Sequence, residues 1–415
     1  MTFTNNTNNA IYFLTLTSLL LLLISHEASS QQTLLAPLNK DTQTSLYTIT
    51  LNSNERHVID LSAPFSWRHC SSPRQHTVDC VSAQCIQAQY LLSPSCPISF
   101  TNPSPLPNPC TCMVTPINPR TKSCALDRLT SANLSISYVN REKPRSEIEF
   151  KNIYLSCARR SLFRSFPRGV VGLASLSLAP SSFPSQFSSS NFGVSQKFAI
   201  CLPSGSSSSG VISFGDEPNN YFSTRKIDVL SLLSHTPLLR NPKTADYFIG
   251  IKELSVNGNY SIPMNPNEGI KLSTVVPYTT LRTDIFEKLL NFFTRSMIKG
   301  ARLLKRVKPF SACYNASEIG YGRFGLNVPK IDLEFANGKN WTVHGANSMR
   351  RVGGEVACFA FLDGEANPEH SIVIGSFQME DNLLLFDLEQ MSFGFSSSLY
   401  SQRMTCGDFG MGSKV

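Results

Sequence analysis

At 415 residues the chain exceeds what one comfortable hydrophobic core can organise, so size alone predicts two lobes. Its 37 Lys and Arg against 29 Asp and Glu give a net charge of +8, a mild bias toward acidic partners without the aromatic-interleaved basic tracts that a nucleic-acid binder needs. Twelve cysteines, an even number, point to an oxidising compartment and weigh against a cytosolic role.

The first element in chain order is an apolar run from Ile11 to Ile24, too short to span a bilayer, followed by Ala28-Ser29-Ser30 as a small-residue cleavage site before Gln31. Residues 1–30 therefore read as a secretory signal peptide, although the segment before the apolar run carries no Lys or Arg, and no membrane span remains after its removal. The mature chain is expected to divide into a lobe over 31–235, with a disulfide-rich insertion, and a second over 236–415. Thr236-Pro-Leu-Leu-Arg-Asn-Pro242 reads as the connection.

Tyr47-Thr-Ile-Thr-Leu51 predicts a strand, and the apolar segment Val58-Ile59-Asp60-Leu61-Ser62-Ala63 follows it. The same order recurs in the second half, where the strand-like run Tyr247 to Val256 precedes Ile270-Lys271-Leu272-Ser273-Thr274-Val275. Such an internal repeat is what a two-lobed β protein shows.

The cysteines at Cys70, Cys80, Cys85, Cys96, Cys110, Cys112, Cys124, Cys157, Cys201, Cys313, Cys358 and Cys406 make six disulfides the economical reading. Eight of them crowd between Cys70 and Cys157, where Pro94, Pro97, Pro103, Pro105, Pro107 and Pro109 forbid regular ladders, so covalent staples must hold an irregular excursion of undetermined connectivity. A metal site is the alternative, but Cys110-Thr-Cys112 lacks the two-residue spacer and nearby His of a zinc knuckle, and no metal is expected.

Sequons at Asn133, Asn259, Asn315 and Asn340 are candidate glycosylation sites. The clusters Arg159-Arg160 with Arg164 and Arg168, and Lys305-Arg306-Val-Lys308, read as solvated faces. One clear helix is predicted over Asp284–Ile298, with Ile285, Leu289, Phe293 and Met297 on one face, Asp284 as cap and Gly300 as terminator. Gly407 to Gly412 reads as a frayed end.

At the Asp60 and Ser273 segments the chain resembles the pepsin-like aspartic proteases, in which each lobe offers one Asp-Thr/Ser-Gly motif. Gly169-Val-Val-Gly-Leu-Ala174 and Ser371-Ile-Val-Ile-Gly-Ser-Phe-Gln378 are similar to that family's paired apolar-glycine signatures, as are Leu383-Leu-Leu-Phe-Asp-Leu388 and Phe393-Gly-Phe395. The resemblance runs from Leu35 to Phe409 and implies an all-β, bilobal pepsin-like fold with a few short helices. Proteolysis by such a centre needs two carboxylates that share one proton, one acting as base toward water and the other as acid. Here Ser273 stands where the second would be, and Ser62 and Val275 replace the motif glycines, a β-branched Val being ill suited to positive φ. Asp60 and Ser273 therefore read as vestigial, with no catalytic residue. Residual endopeptidase activity would require an acidic partner for Asp60 that the chain does not supply.

The cysteine pattern, Asp60-Leu61, Ser273-Thr-Val-Val-Pro-Tyr278 and Met404-Thr-Cys406 resemble a plant group within that family. The group comprises extracellular dermal glycoproteins, basic 7S globulins, and inhibitors of xylanases and xyloglucan-specific endoglucanases. The resemblance implies the pairings Cys313–Cys358 and Cys201–Cys406. It also implies a monomeric protein of the apoplast or cell wall, active in plant defence without a cofactor, whose second-lobe loops push basic side chains into the cleft of a microbial endoglucanase or xylanase.

Arg323, in Gly322-Arg-Phe-Gly-Leu-Asn-Val-Pro329, and Arg403, in Ser401-Gln-Arg-Met-Thr-Cys406, match those inhibitory positions. A guanidinium is a permanently charged planar fork suited to the paired carboxylates of a glycosidase cleft. Asp363, Glu365 and Glu369 form an acidic loop that would oppose docking if it lay nearby. The mixed charges between Arg141 and Glu149 leave no placeable flap tyrosine. A wall protein that binds a peptide or glycan without inhibiting anything is the rival reading.

Overall fold

The computed structural model describes residues 33–70, 76–91, 96, 110–138, 146–190, 193–215, 228 and 230–409. The expected signal peptide lies outside them. Strands dominate, as the β-branched and aromatic runs require, and the fold is bilobal and pepsin-like.

In the first lobe Leu34–Lys40, Tyr47–Leu51 and Glu55–Asp60 form an antiparallel meander, with Leu38 opposite Ile49 and Thr48 opposite Val58. Glu55–Asp60 then runs parallel to Val170–Ser175, setting Asp60 against Ser175. A parallel pair is covered on both faces, and Val58, Ile59, Leu173 and Ala174 are all fully buried, which is why these strands read as continuous apolar runs rather than alternating ones. The second lobe repeats the device: Ile270–Leu272 runs parallel to Ile372–Ile374 and delivers Ser273 at its end. Each apolar-glycine signature is thus the parallel partner of a motif strand.

One continuous sheet joins the lobes. Lys197–Cys201 pairs with Gly210–Phe214 of its own lobe and with Leu383–Asp387 of the other. Across that seam Phe198 stacks on Phe386 with ring centroids 4.6 Å apart. The segment expected as a connection begins as a strand of the same sheet, Ser234–Leu239, paired with Ser392–Phe395 and Phe248–Ile249. A buried ionic cluster also crosses the seam: the Glu380 carboxylate accepts from Lys40 Nζ at 2.5 Å and from the Tyr47 hydroxyl at 2.7 Å.

All twelve cysteines are bridged. The irregular excursion is held by Cys70–Cys157, Cys80–Cys110, Cys85–Cys112 and Cys96–Cys124, and the other bridges are Cys201–Cys406 and Cys313–Cys358. Three of the first four close loops of 27 to 30 residues, each removing about 3 to 4 kcal/mol of chain entropy from the unfolded state.

The predicted helix spans Thr283–Arg295 and buries Ile285, Phe286, Leu289 and Phe293. Its ends correct the expectation. Arg282 occupies the cap position because the strand Thr279–Leu281 delivers the chain there, and Asp284 lies in the first turn, gripped by Arg282 Nε at 2.6 Å and Nη2 at 3.1 Å. The helix closes at Ser296, before Gly300 is reached. The tail is likewise not frayed at its start: Cys406–Phe409 forms a 3-10 turn with Phe409 buried, while residues 410–415 lie outside those described.

Candidate functional site

Asp60 ends its strand 2 % exposed, its Oδ1 accepting from the Ser62 amide at 2.8 Å. Burial pushes its carboxyl up to about 6, against the pull of the Ser62 amide and of Lys271. Lys271 itself is paired with Asp246 at 2.9 Å. From the other lobe Thr274 Oγ1 donates to the Ile59 carbonyl at 3.0 Å, bringing the two motif loops together. The residue at the equivalent place in the first lobe is Leu61, which has no hydroxyl to return that bond. Ser273 is buried, its Oγ accepting from the amides of Val275 at 3.4 Å and Val276 at 3.3 Å.

Neither Ser62 nor Val275 has positive φ, so the loops have adapted to the loss of glycine without strain. Val275 instead packs its side chain among Val58, Trp67 and Leu173 of the first lobe. The hairpin bridged at Ile117 and Cys124 closes over this point, with Arg120 Nη1 donating to the Val275 carbonyl at 3.2 Å. Asn118 pins the hairpin, its Nδ2 donating to the carbonyls of Leu162 and Arg164 while its Oδ1 accepts from the Arg120 and Thr121 amides. The segment 117–124 therefore reaches the motif loop; of the Arg141–Glu149 stretch, residues 141–145 lie outside those described. Sequence reasoning missed Arg120; the turn-forming Asn118-Pro119 beside two cations was the available signal.

The second group of residues lies on loops of the other lobe. Arg323 is exposed at the tip of a hairpin formed by Tyr321–Gly322 and Gly325–Leu326. Gly325 is obligatory there: its φ is +91°, and a Cβ would approach the Ala346 amide nitrogen to 2.4 Å. Phe324 stacks on His344 with centroids 4.2 Å apart, anchoring the tip from behind. Arg403, also exposed, closes the 3-10 turn Leu399–Gln402 in the left-handed region at φ 56° and ψ 38°. The structure brings the two arginine loops together, since Arg323 Nη1 donates to the Ser401 carbonyl at 3.4 Å.

Asp381 is the foundation of the Arg403 loop. Its Oδ2 accepts from the Tyr400 hydroxyl at 2.7 Å and its Oδ1 from the Cys406 amide at 2.8 Å, while Cys406 is tied to Cys201 of the sheet. No local pattern marks Asp381 in the sequence. The acidic loop is anchored elsewhere, Asp363 accepting from the Thr283 hydroxyl and the Glu365 amide. Among the sequons, Asn133, Asn259 and Asn340 are exposed, whereas Asn315 is half-buried and caps a short helix by accepting from the Ser317 amide.

Two family profiles match the chain, described as xylanase inhibitor N-terminal over residues 44–216 and xylanase inhibitor C-terminal over 246–397. The chain belongs to the xylanase-inhibitor family. Among relatives, a probable aspartic proteinase GIP2 of Nicotiana benthamiana is 34% identical over 406 residues, 91% of each chain. Gamma conglutin 1 of Prunus dulcis is 34% identical over 420 residues, 95% of each. The crystal structure titled edgp superposes with a TM-score of 0.81 at 32% identity, covering 93% of this chain and 99% of that one. The family thus joins proteins named as a probable aspartic proteinase, as a conglutin and as xylanase inhibitors on one pepsin-like frame. The disulfides of this chain suit an extracellular protein.

Proposed function

We propose that this chain is a secreted, catalytically inactive pepsin-fold protein that inhibits microbial cell-wall glycoside hydrolases of the xylanase or endoglucanase kind, in plant defence. The observation that carries the reading is the pairing of exposed Arg323 and Arg403 on two touching, rigidly founded loops. A glycosidase cleft presents two carboxylates, and an inserted guanidinium both blocks substrate and neutralises the acid–base pair. A loop already ordered by Cys201–Cys406 and by Asp381 loses little entropy on docking.

Inactivity as a protease is supported by the surroundings of Asp60. Ser273 stands at the equivalent place in the other motif loop, whose Thr274 Oγ1 bonds the Ile59 carbonyl, Val275 belongs to one buried cluster with Val58 and Trp67, and Arg120 bonds the Val275 carbonyl. A lone carboxyl cannot divide base and acid duties. Secretion and glycosylation at Asn133, Asn259 and Asn340 complete the reading, supported by the full set of bridges and by the exposure of these asparagines.

The test is a titration of the purified protein against secreted microbial endo-β-glucanases and xylanases, with casein proteolysis at acid pH alongside. Near-stoichiometric inhibition without proteolysis is expected. Arg403→Ala should then weaken binding by about 2 kcal/mol, roughly thirtyfold, with the fold intact. An unchanged inhibition constant removes Arg403 from the mechanism, and casein cleavage overturns the assignment of inactivity.

A further inference from the structure

The net charge of the chain is concentrated in one place. From Lys288 to Ser317 there are seven cations, Lys288, Arg295, Lys299, Arg302, Lys305, Arg306 and Lys308, and no Asp or Glu, in a chain whose net charge is +8. Most of this stretch is loop and edge strand: Leu303–Leu304 lies at the outer edge of a four-stranded sheet, paired only with Tyr314 and Cys313. Of the carboxylates flanking that sheet, Glu318 is engaged with Arg302 at 3.0 Å and Glu355 with Arg351 at 3.4 Å. Lys299, Lys305, Arg306 and Lys308 are exposed and make no hydrogen bond or ion pair among the described residues.

We infer that this edge is a docking strip for a linear acidic polysaccharide, a polyuronate whose carboxylates repeat along the chain. The unpaired cations at 299, 305, 306 and 308 fall within ten successive residues of turn, edge strand and loop, a spread better matched by a repeating polyanion than by one compact anion. Uncompensated cations on an open edge gain affinity by releasing the counterions of a polyanion. A nucleic acid would call for exposed aromatic platforms, and the exposed ring nearby, Tyr321, is covered by the Arg351 guanidinium at 5.7 Å. A bilayer surface would call for an amphipathic helix, whereas exposed Ile298, Leu303 and Val307 are scattered over turn and strand. Edge-strand cations also deter self-association.

The test uses the full-length protein with polygalacturonate and its fully methyl-esterified, uncharged counterpart as probes, with affinity measured across a salt series. Two variants carry the same charge change: Lys299→Gln/Lys305→Gln/Arg306→Gln/Lys308→Gln in the strip, and Lys151→Gln/Arg159→Gln/Arg160→Gln/Arg168→Gln on exposed positions of the other lobe. Polygalacturonate alone should bind, with an affinity that falls as salt rises. The strip variant should lose about tenfold or more and show a shallower salt slope, while the control stays within about twofold of the native protein. Equal losses in both variants, no binding at low salt, or binding to duplex DNA or anionic vesicles in preference to polygalacturonate would each overturn the inference. Unfolding curves for both variants separate a lost site from a lost fold.

Discussion

Replacing Asp60 by Asn measures what it costs to keep this carboxylate buried at the motif loops. The Asn Oδ1 can still accept from the Ser62 amide, so the main change is removal of an ionisable group. Burial raises the native carboxyl from 3.8 to about 6, a gap of about two units, or roughly 3 kcal/mol. The native state holds this proton more tightly than the unfolded chain does. Its favourable effect is therefore complete below pH 3.8 and is lost as pH rises through 6. His57 acts with the opposite sign, since burial lowers it to about 4 and its contribution is present above pH 6.5 and lost on acidification. Glu380, raised to about 7 by burial against the pull of Lys40, acts in the same sense as Asp60. The wild-type pH profile is a composite of these and of other shifted groups such as His344 and His370, but the difference between wild type and Asp60→Asn cancels the rest. Urea unfolding of the oxidised protein should find the two proteins nearly equal at pH 4, and the variant more stable by up to about 3 kcal/mol at pH 7.5. A difference that does not change with pH, or a wild type that is the more stable at pH 7.5, would refute the reasoning.

Val275→Gly restores the residue type of an active motif loop but removes a side chain buried in one cluster with Val58 and Trp67, so the unfolding free energy from urea curves should fall by about 3 kcal/mol without any gain in casein cleavage. A loss under about 1 kcal/mol would mean that Val275 is not a structural plug. Tyr400→Phe deletes the hydroxyl that Asp381 accepts; burial and that carboxylate together hold the Tyr400 phenol well above its usual range. Inhibition should weaken while peptide mapping still finds Cys201 joined to Cys406, and an unaltered inhibition constant would show that Asp381 does not position the Arg403 loop.

The sequence by itself was enough for the all-β class, the repeat of a motif strand in each half, the cysteine count and the apolar stripe of the one long helix. Each of these rests on local periodicity or composition, which tertiary contacts did not override: Tyr47–Leu51 is a strand and Ile285, Leu289 and Phe293 are core. Helix ends were less legible, because the cap was decided by where the strand Thr279–Leu281 stops rather than by the capping preference of Asp284. Only the tertiary structure decided that Arg120 reaches the Val275 carbonyl 155 residues away and that Arg323 meets Ser401 across 78. It alone set Asp381 beneath the Arg403 loop and placed Leu303–Leu304, in the midst of the cation-rich stretch, at a sheet edge. Such contacts depend on loop closure and sheet order, and neither leaves a periodic trace in the chain.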